Sequence, residues 1–146
     1  MALKSLFPVI VTSRLAEARD FYIEHFDFRV VFEADWYVQL HGLRGEGVPP
    51  MELAFMLPNV ESQPALLHAA FSGAGVVLSI DVDDVDAVHT KLNVAGALKE
   101  IVVALRDEPW GQRHFLFKDP AGTFLDVFQM IPPTSEYAPA YSDNEG

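Results

Sequence analysis

At 146 residues the chain is long enough for one domain with a real core, and with half of it apolar and 12% aromatic it is globular. Its formal net charge of −11, from 10 basic and 21 acidic residues, repels phosphate backbones and argues against nucleic-acid binding. There is no cysteine, which excludes disulfides and thiolate metal sites.

No apolar run approaches the roughly 20 residues that cross a bilayer, so no membrane partner is expected. The opening MALKSLFPVIVTSR lacks the long apolar stretch and small-residue cleavage site of a secretory signal. A cytoplasmic protein is the expectation. The acidity serves solubility, or it draws in a cationic small molecule.

Residues 6–11 read as a short buried strand, with Phe7, Val9 and Val11 on one face. Thr12 or Ser13 can cap a helix. Leu15, Ala18, Tyr22 and Phe26 follow at helical spacing, so residues 14–26 form an amphipathic helix. Residues 28–32 are rich in β-branched and aromatic side chains and read as a strand. Ala34-Asp35 turns the chain, and residues 36–40 return. Residues 42–50 carry three Gly and two Pro and must be a loop. Residues 51–57 form a further strand, with Glu52, Ala54 and Met56 on one face and Leu53, Phe55 and Leu57 on the other.

Residues 59–75 connect this module to the next, with Leu66, Leu67 and Phe71 packing locally. The pattern then recurs. Residues 76–82 are a strand, Asp83 or Asp84 caps a helix, and Val85, Val88, Leu92 and Ala95 form its stripe. Gly96 is its C-terminal stop, and residues 98–105 are a strand. Two β-α-β-β-β units at a period of about 70 residues make one domain from two modules rather than a solenoid. The expected boundaries are about 5–58 for module one and 76–131 for module two, in a single domain over 1–131. Residues 132–146 are polar, acidic at their end, and form an arm or a disordered tail.

The segment EPWGQRHFLFKDPAGTFLDVF, from Glu108 to Phe128, ends the second module. Its Asp-Pro and Ala-Gly are turn chemistry, because Pro fixes φ and Gly accepts φ > 0. Phe115 and Phe117 share one face of this hairpin, and Phe124, Asp126 and Phe128 share another. A carboxylate among aromatics on such a face marks a site.

Two β-α-β-β-β modules, the helix ending ARDFYIEHFDF, and PWGQRHF followed by KDPAGTFLDVF resemble the vicinal oxygen chelate superfamily. That group includes glyoxalase I, extradiol dioxygenases, fosfomycin resistance proteins and bleomycin resistance proteins. The bleomycin resistance branch is the most similar, through FPV near the start, the pair Phe21-Tyr22, Phe28, and PWG-x-R-x-F with DPAG. The resemblance implies an α+β fold in which each module curls into a half-barrel and the halves make a cup. Its metal enzymes use one ligand from the first and one from the last strand of each module. By motif spacing those positions are Phe7, Glu52, Val77 and Asp126, with Phe7 equivalent to Val77 and Glu52 to Asp126. Phe and Val cannot coordinate a metal, and two carboxylates without imidazole make a weak site for a first-row ion. No metal or cofactor is therefore expected, unless His114 or another His enters from an unexpected strand.

Glu52 and Asp126 are either a binding or acid–base pair or are each neutralised by Arg113, His114 or backbone donors. Arg113 anchors an anionic group, or it pairs with Asp126 or another acid. Trp36 and Tyr37 are core or ligand platform. The resemblance implies that Trp110 and Phe32 line a ligand groove at a homodimer interface and stack on a planar heteroaromatic group. His25, His41, His68 and His89 show no ligand spacing and read as surface. No dinucleotide fingerprint, P-loop or nucleophile elbow is present. The leading expectation is a metal-independent binding protein of the bleomycin-resistance type, taking a cationic, partly planar antibiotic and conferring resistance. The alternatives are a glyoxalase-type lyase or isomerase with Glu52 or Asp126 as general base, and a binder of an unrelated metabolite.

Overall fold

Strict alternation of buried and half-exposed residues marks the strands that carry a helix on one side. In β3 (Tyr37–Gly42), Val38 and Leu40 are fully buried while Tyr37, Gln39 and His41 are not. The computed structural model describes residues 1–43 and 50–142. It is an α+β fold of two four-stranded mixed sheets, each with its own helix.

The first unit holds β1 (Val9–Val11), α1 (Leu15–Phe26), β2 (Phe28–Ala34), β3 and β4 (Met51–Met56), in sheet order β1-β4-β3-β2. β1 runs parallel to β4, with Val9 opposite Ala54, and the other pairs are antiparallel. The second unit repeats this plan. β5 (Val77–Asp81), α2 (Val85–Val94), β6 (Lys99–Glu108), β7 (Gln112–Lys118) and β8 (Phe124–Met130) give the order β5-β8-β7-β6. The expected loop over 42–50 lies mostly outside the described residues. Gly42 itself ends β3, opposite Met51.

α1 covers one face of its sheet through Tyr22, whose ring centroid is 5.6 Å from that of Phe55 and 5.5 Å from that of Phe28. α2 covers the other sheet through Val85, Leu92 and the contact of His89 with Phe115. Phe115, Phe117, Leu125 and Val127 all face this helix, in keeping with the pleat. The opposite, distal face of each sheet carries the polar groups.

Helix ends differ from expectation in one case. Asp84 caps α2, its Oδ1 accepting the Ala87 N–H at 3.1 Å, and Gly96 follows in the left-handed region. α1 has no side-chain cap, and the Thr12 hydroxyl instead accepts the N–H of Arg14 in the turn before the helix. The cause is geometric: Thr12 stands three residues before the first helical residue, Leu15, and two before the capping position, Arg14. α1 ends at Asp27, a non-glycine residue at φ 57°. In the connection, Leu66 is 80% exposed rather than packed, while His68 Nε2 lies at 3.0 and 2.7 Å from the carbonyls of Val60 and Gln63.

The β7–β8 turn is held by Asp119. Its carboxylate accepts the N–H groups of Ala121 and Thr123 and the hydroxyl of buried Tyr22. Replacing Asp119 by Ala leaves three donors without a partner and is expected to cost roughly 2–4 kcal/mol in urea denaturation, while Tyr22→Phe costs about 1 kcal/mol. Equal losses for the two variants would contradict this assignment.

Candidate functional site

The distal face of the first sheet bears a chain of polar side chains built by the β3–β4 register. Tyr37 faces Met56, Gln39 faces Ala54 and His41 faces Glu52. Tyr37 donates its hydroxyl to Gln39 Oε1 at 3.1 Å, and Gln39 donates its amide to Glu52 Oε1 at 3.0 Å. His41 Nε2 lies 2.8 Å from the same carboxylate oxygen. Ser5, from the N-terminal segment, also bonds Glu52 and lines a cleft with Lys4, Leu6 and Met51. Burial opposes ionisation of Glu52, but hydrogen bonds from His41, Ser5 and Gln39 outweigh it and hold the carboxyl below its ordinary range. Phe32, 56% exposed on edge strand β2, shares this face through its ring contact with Tyr37 at 5.9 Å. Trp36 stands in the β2–β3 turn against Tyr37, not in the returning strand.

The distal face of the second sheet centres on His114, which is 5% exposed. Its Nδ1 is 2.7 Å from Asp126 Oδ1 and its Nε2 is 2.8 Å from Glu108 Oε2. A neutral imidazole carries one N–H and satisfies one carboxylate, so two such contacts require the doubly protonated ring. Burial lowers the His114 pKa, and the bonds to Glu108 and Asp126 override it, leaving a net rise above 6.5. The His114 bond is the main cause of a depressed Glu108 pKa, with Arg106 adding to it. Two carboxylates, one imidazolium and one guanidinium sum to zero formal charge. Trp110, in the β6–β7 turn and 38% exposed, has its ring centroid 6.2 Å from that of His114.

Arg113 does not join this group. It shares parity with Phe115 and so lies on the helix side, where it bonds Asp86 of α2 at 2.9 Å and Asp107 at 2.9 Å. Pairing with an acid was one of its two expected roles, and the acids are these two rather than Asp126. His41 was expected on the surface. It is a strand residue holding Glu52, and its place in the alternation of residues 37–42 was the signal available.

Residues 5–127 match the family model of the Glyoxalase/Bleomycin resistance protein/Dioxygenase superfamily. The chain belongs to this superfamily. An uncharacterised protein of Mycobacterium bovis is 31% identical over 130 residues, covering 87% of this chain and 84% of that protein. TnmS3, an antibiotic binding protein from Streptomyces sp. CB03234, superimposes with a TM-score of 0.58 at 23% identity, over 89% of this chain and 98% of its own. A lactoylglutathione lyase from Agrobacterium tumefaciens gives a TM-score of 0.62 at 19% identity, over 86% and 92%. Identities this low establish the fold alone.

The superfamily's metal-binding positions fit a metal poorly in this member. Phe7 and Val77 carry no donor atom. The registers also separate the two carboxylates by two places. Val11 and Asp81 stand equally far before their helices, so Val9 matches Ser79. Val9 faces Ala54 and Ser79 faces Asp126, which makes Ala54, not Glu52, the counterpart of Asp126. Cross-strand register is not visible in spacing along one strand, so motif spacing alone pairs Glu52 with Asp126. Each carboxylate is, in addition, already bound to an imidazole of its own sheet. Among the described residues, no three His, Cys, Asp or Glu side chains gather as a metal site would require.

The raised His114 pKa has a pH signature. Its stabilisation is complete below the unfolded value of 6.5 and is lost as pH climbs through the folded midpoint. The stability difference between wild type and His114→Gln should therefore shrink as pH rises above 6.5 in urea titrations. An imidazole NMR midpoint for His114 at or below 6.5 would contradict the two-carboxylate bracket.

Proposed function

We propose that this chain is a small-molecule binding protein of the bleomycin-resistance type, holding a planar aromatic ligand without a metal ion. The observation that carries the reading is that the two carboxylates at the family's ligand positions are already committed, Glu52 to His41 and Asp126 to His114, while Phe7 and Val77 supply no ligand atom. Trp110 and Phe32 offer exposed aromatic surface to a ligand, at 38% and 56%. An antibiotic-binding neighbour of the same fold is consistent with that use.

In this reading Trp110 and Phe32 are stacking rings, each within its own unit, and Trp36 buttresses Tyr37 beside Phe32. Glu52 and Asp126 give the distal faces polar contacts, held by His41 and His114. The whole chain's −11 adds a general pull on a cationic ligand. A homodimer in the cytoplasm, one domain over 1–131, and a role in antibiotic resistance complete the proposal. The second reading is a glyoxalase-type lyase or isomerase with Glu52 or Asp126 as base. It is favoured by the shared fold with a lactoylglutathione lyase, and it requires one carboxylate to leave its imidazole.

Isothermal titration with bleomycin as probe tests the binding reading. Trp110→Ala should weaken binding by roughly 1–3 kcal/mol, as loss of a buried aromatic anchor does. Undiminished affinity in a folded Trp110→Ala variant would contradict it.

A further inference from the structure

The Pro109-Trp110-Gly111 turn is held from outside its own hairpin. Three consecutive backbone carbonyls accept hydrogen bonds from the C-terminal segment. Pro109 O accepts the Thr134 N–H at 2.9 Å, Trp110 O accepts the Tyr141 hydroxyl, and Gly111 O accepts the Ile131 N–H at 2.9 Å. Gly111 sits at φ 110°, and a Cβ there would meet the Tyr141 hydroxyl at 2.8 Å and the Ile131 carbonyl at 3.0 Å. Only glycine lets the arm lie this close.

The same segment supplies a ring. Tyr137 stands near-perpendicular to Trp110 at 6.3 Å between centroids and 79° between planes. His114 approaches the indole at 6.2 Å and 75°, and Gln112 Oε1 accepts the indole N–H at 2.8 Å. The arm is itself wound by a 3-10 turn at Ala138–Ala140, which fixes the spacing of the two tyrosines. The indole is thus fixed by its backbone, its N–H and two neighbouring rings, yet remains 38% exposed. A residue buried for packing alone would not need to be held so firmly while left open.

We propose that the C-terminal arm is the positioning element of Trp110: Tyr141 fixes the turn that presents the indole, and Tyr137 fixes the ring and adds a second aromatic edge for a flat ligand. The inference deepens the binding-protein reading and rests on it. The arm raises affinity by removing rotamer freedom before the ligand arrives. It also limits the ligand class to planar rings thin enough to lie beside an indole that cannot swing away.

The test uses the full chain labelled with 5-fluorotryptophan. With two tryptophans it gives two fluorine resonances, and Trp110→Phe assigns that of Trp110. Tyr141→Phe and Tyr137→Leu should split or shift the Trp110 resonance, leave that of Trp36 in place, and weaken bleomycin binding about three- to tenfold. Tyr137→Phe keeps the ring and should restore both signals. A Trp110 resonance unmoved by Tyr141→Phe and Tyr137→Leu overturns the proposal. So does a moved resonance with unchanged affinity in a chain whose bleomycin binding depends on Trp110. If Trp110→Ala leaves bleomycin binding intact, the binding reading fails and the functional part of this proposal falls with it. The spectra then still decide whether the arm holds the ring.

Discussion

The pleat of a β-strand sends successive side chains to opposite faces, and in this chain that alternation decides which charged groups are free to act. Each sheet gives one face to its helix, and the core forms there from Val38, Leu40, Leu53 and Phe55 or from Phe115, Phe117, Leu125 and Val127. Every polar group on an intervening residue is then forced to the distal face. Glu52 meets His41 there, and Asp126 meets His114. Arg113, one residue from His114, falls on the other side and pairs with α2. The site's chemistry is thus a consequence of which residues the core did not take.

Much of this was legible beforehand because it depends on periodicity. The helix stripe of Leu15, Ala18, Tyr22 and Phe26, the Asp-Pro-Ala-Gly turn and the two-module repeat are local patterns that packing reinforces. The parity of Glu52 with Ala54 and of Asp126 with Phe124 was visible for the same reason. The parity of Arg113 with Phe115 was equally visible and argues against placing it among ligand contacts. What spacing along one strand cannot give is the partner across the ladder. The Val9–Ala54 and Ser79–Asp126 registers and the His41–Glu52 pairing arise between segments far apart in sequence. The arm over Trp110 is a case of the same kind. Residues 134–141 are polar and Pro-bearing, and their order through the described residues comes from hydrogen bonds to carbonyls 109–111 rather than from any pattern of their own.

Within the superfamily the fold alone does not select a chemistry. The difference lies in a few positions at the sheet faces. A carboxylate that accepts a hydrogen bond from an imidazole is a poorer base than a free one, because the bond favours its charged form. His114 compensates two carboxylates at once and is obliged to keep both protons to do so. The result is a face that is polar but near neutral, flanked by an indole that the C-terminal segment keeps in place. Such a surface suits capture of a flat molecule better than activation of one.

The most direct measurement is the metal content of protein purified without chelator, followed by thermal unfolding with Ni(II), Zn(II), Mn(II) and Fe(II) salts. Less than stoichiometric metal and no shift in Tm with any of the four are the expected results. One metal per chain with a clear rise in Tm would contradict the metal-independent reading. That result would return Glu52 and Asp126 to the role of ligands and restore the lyase reading.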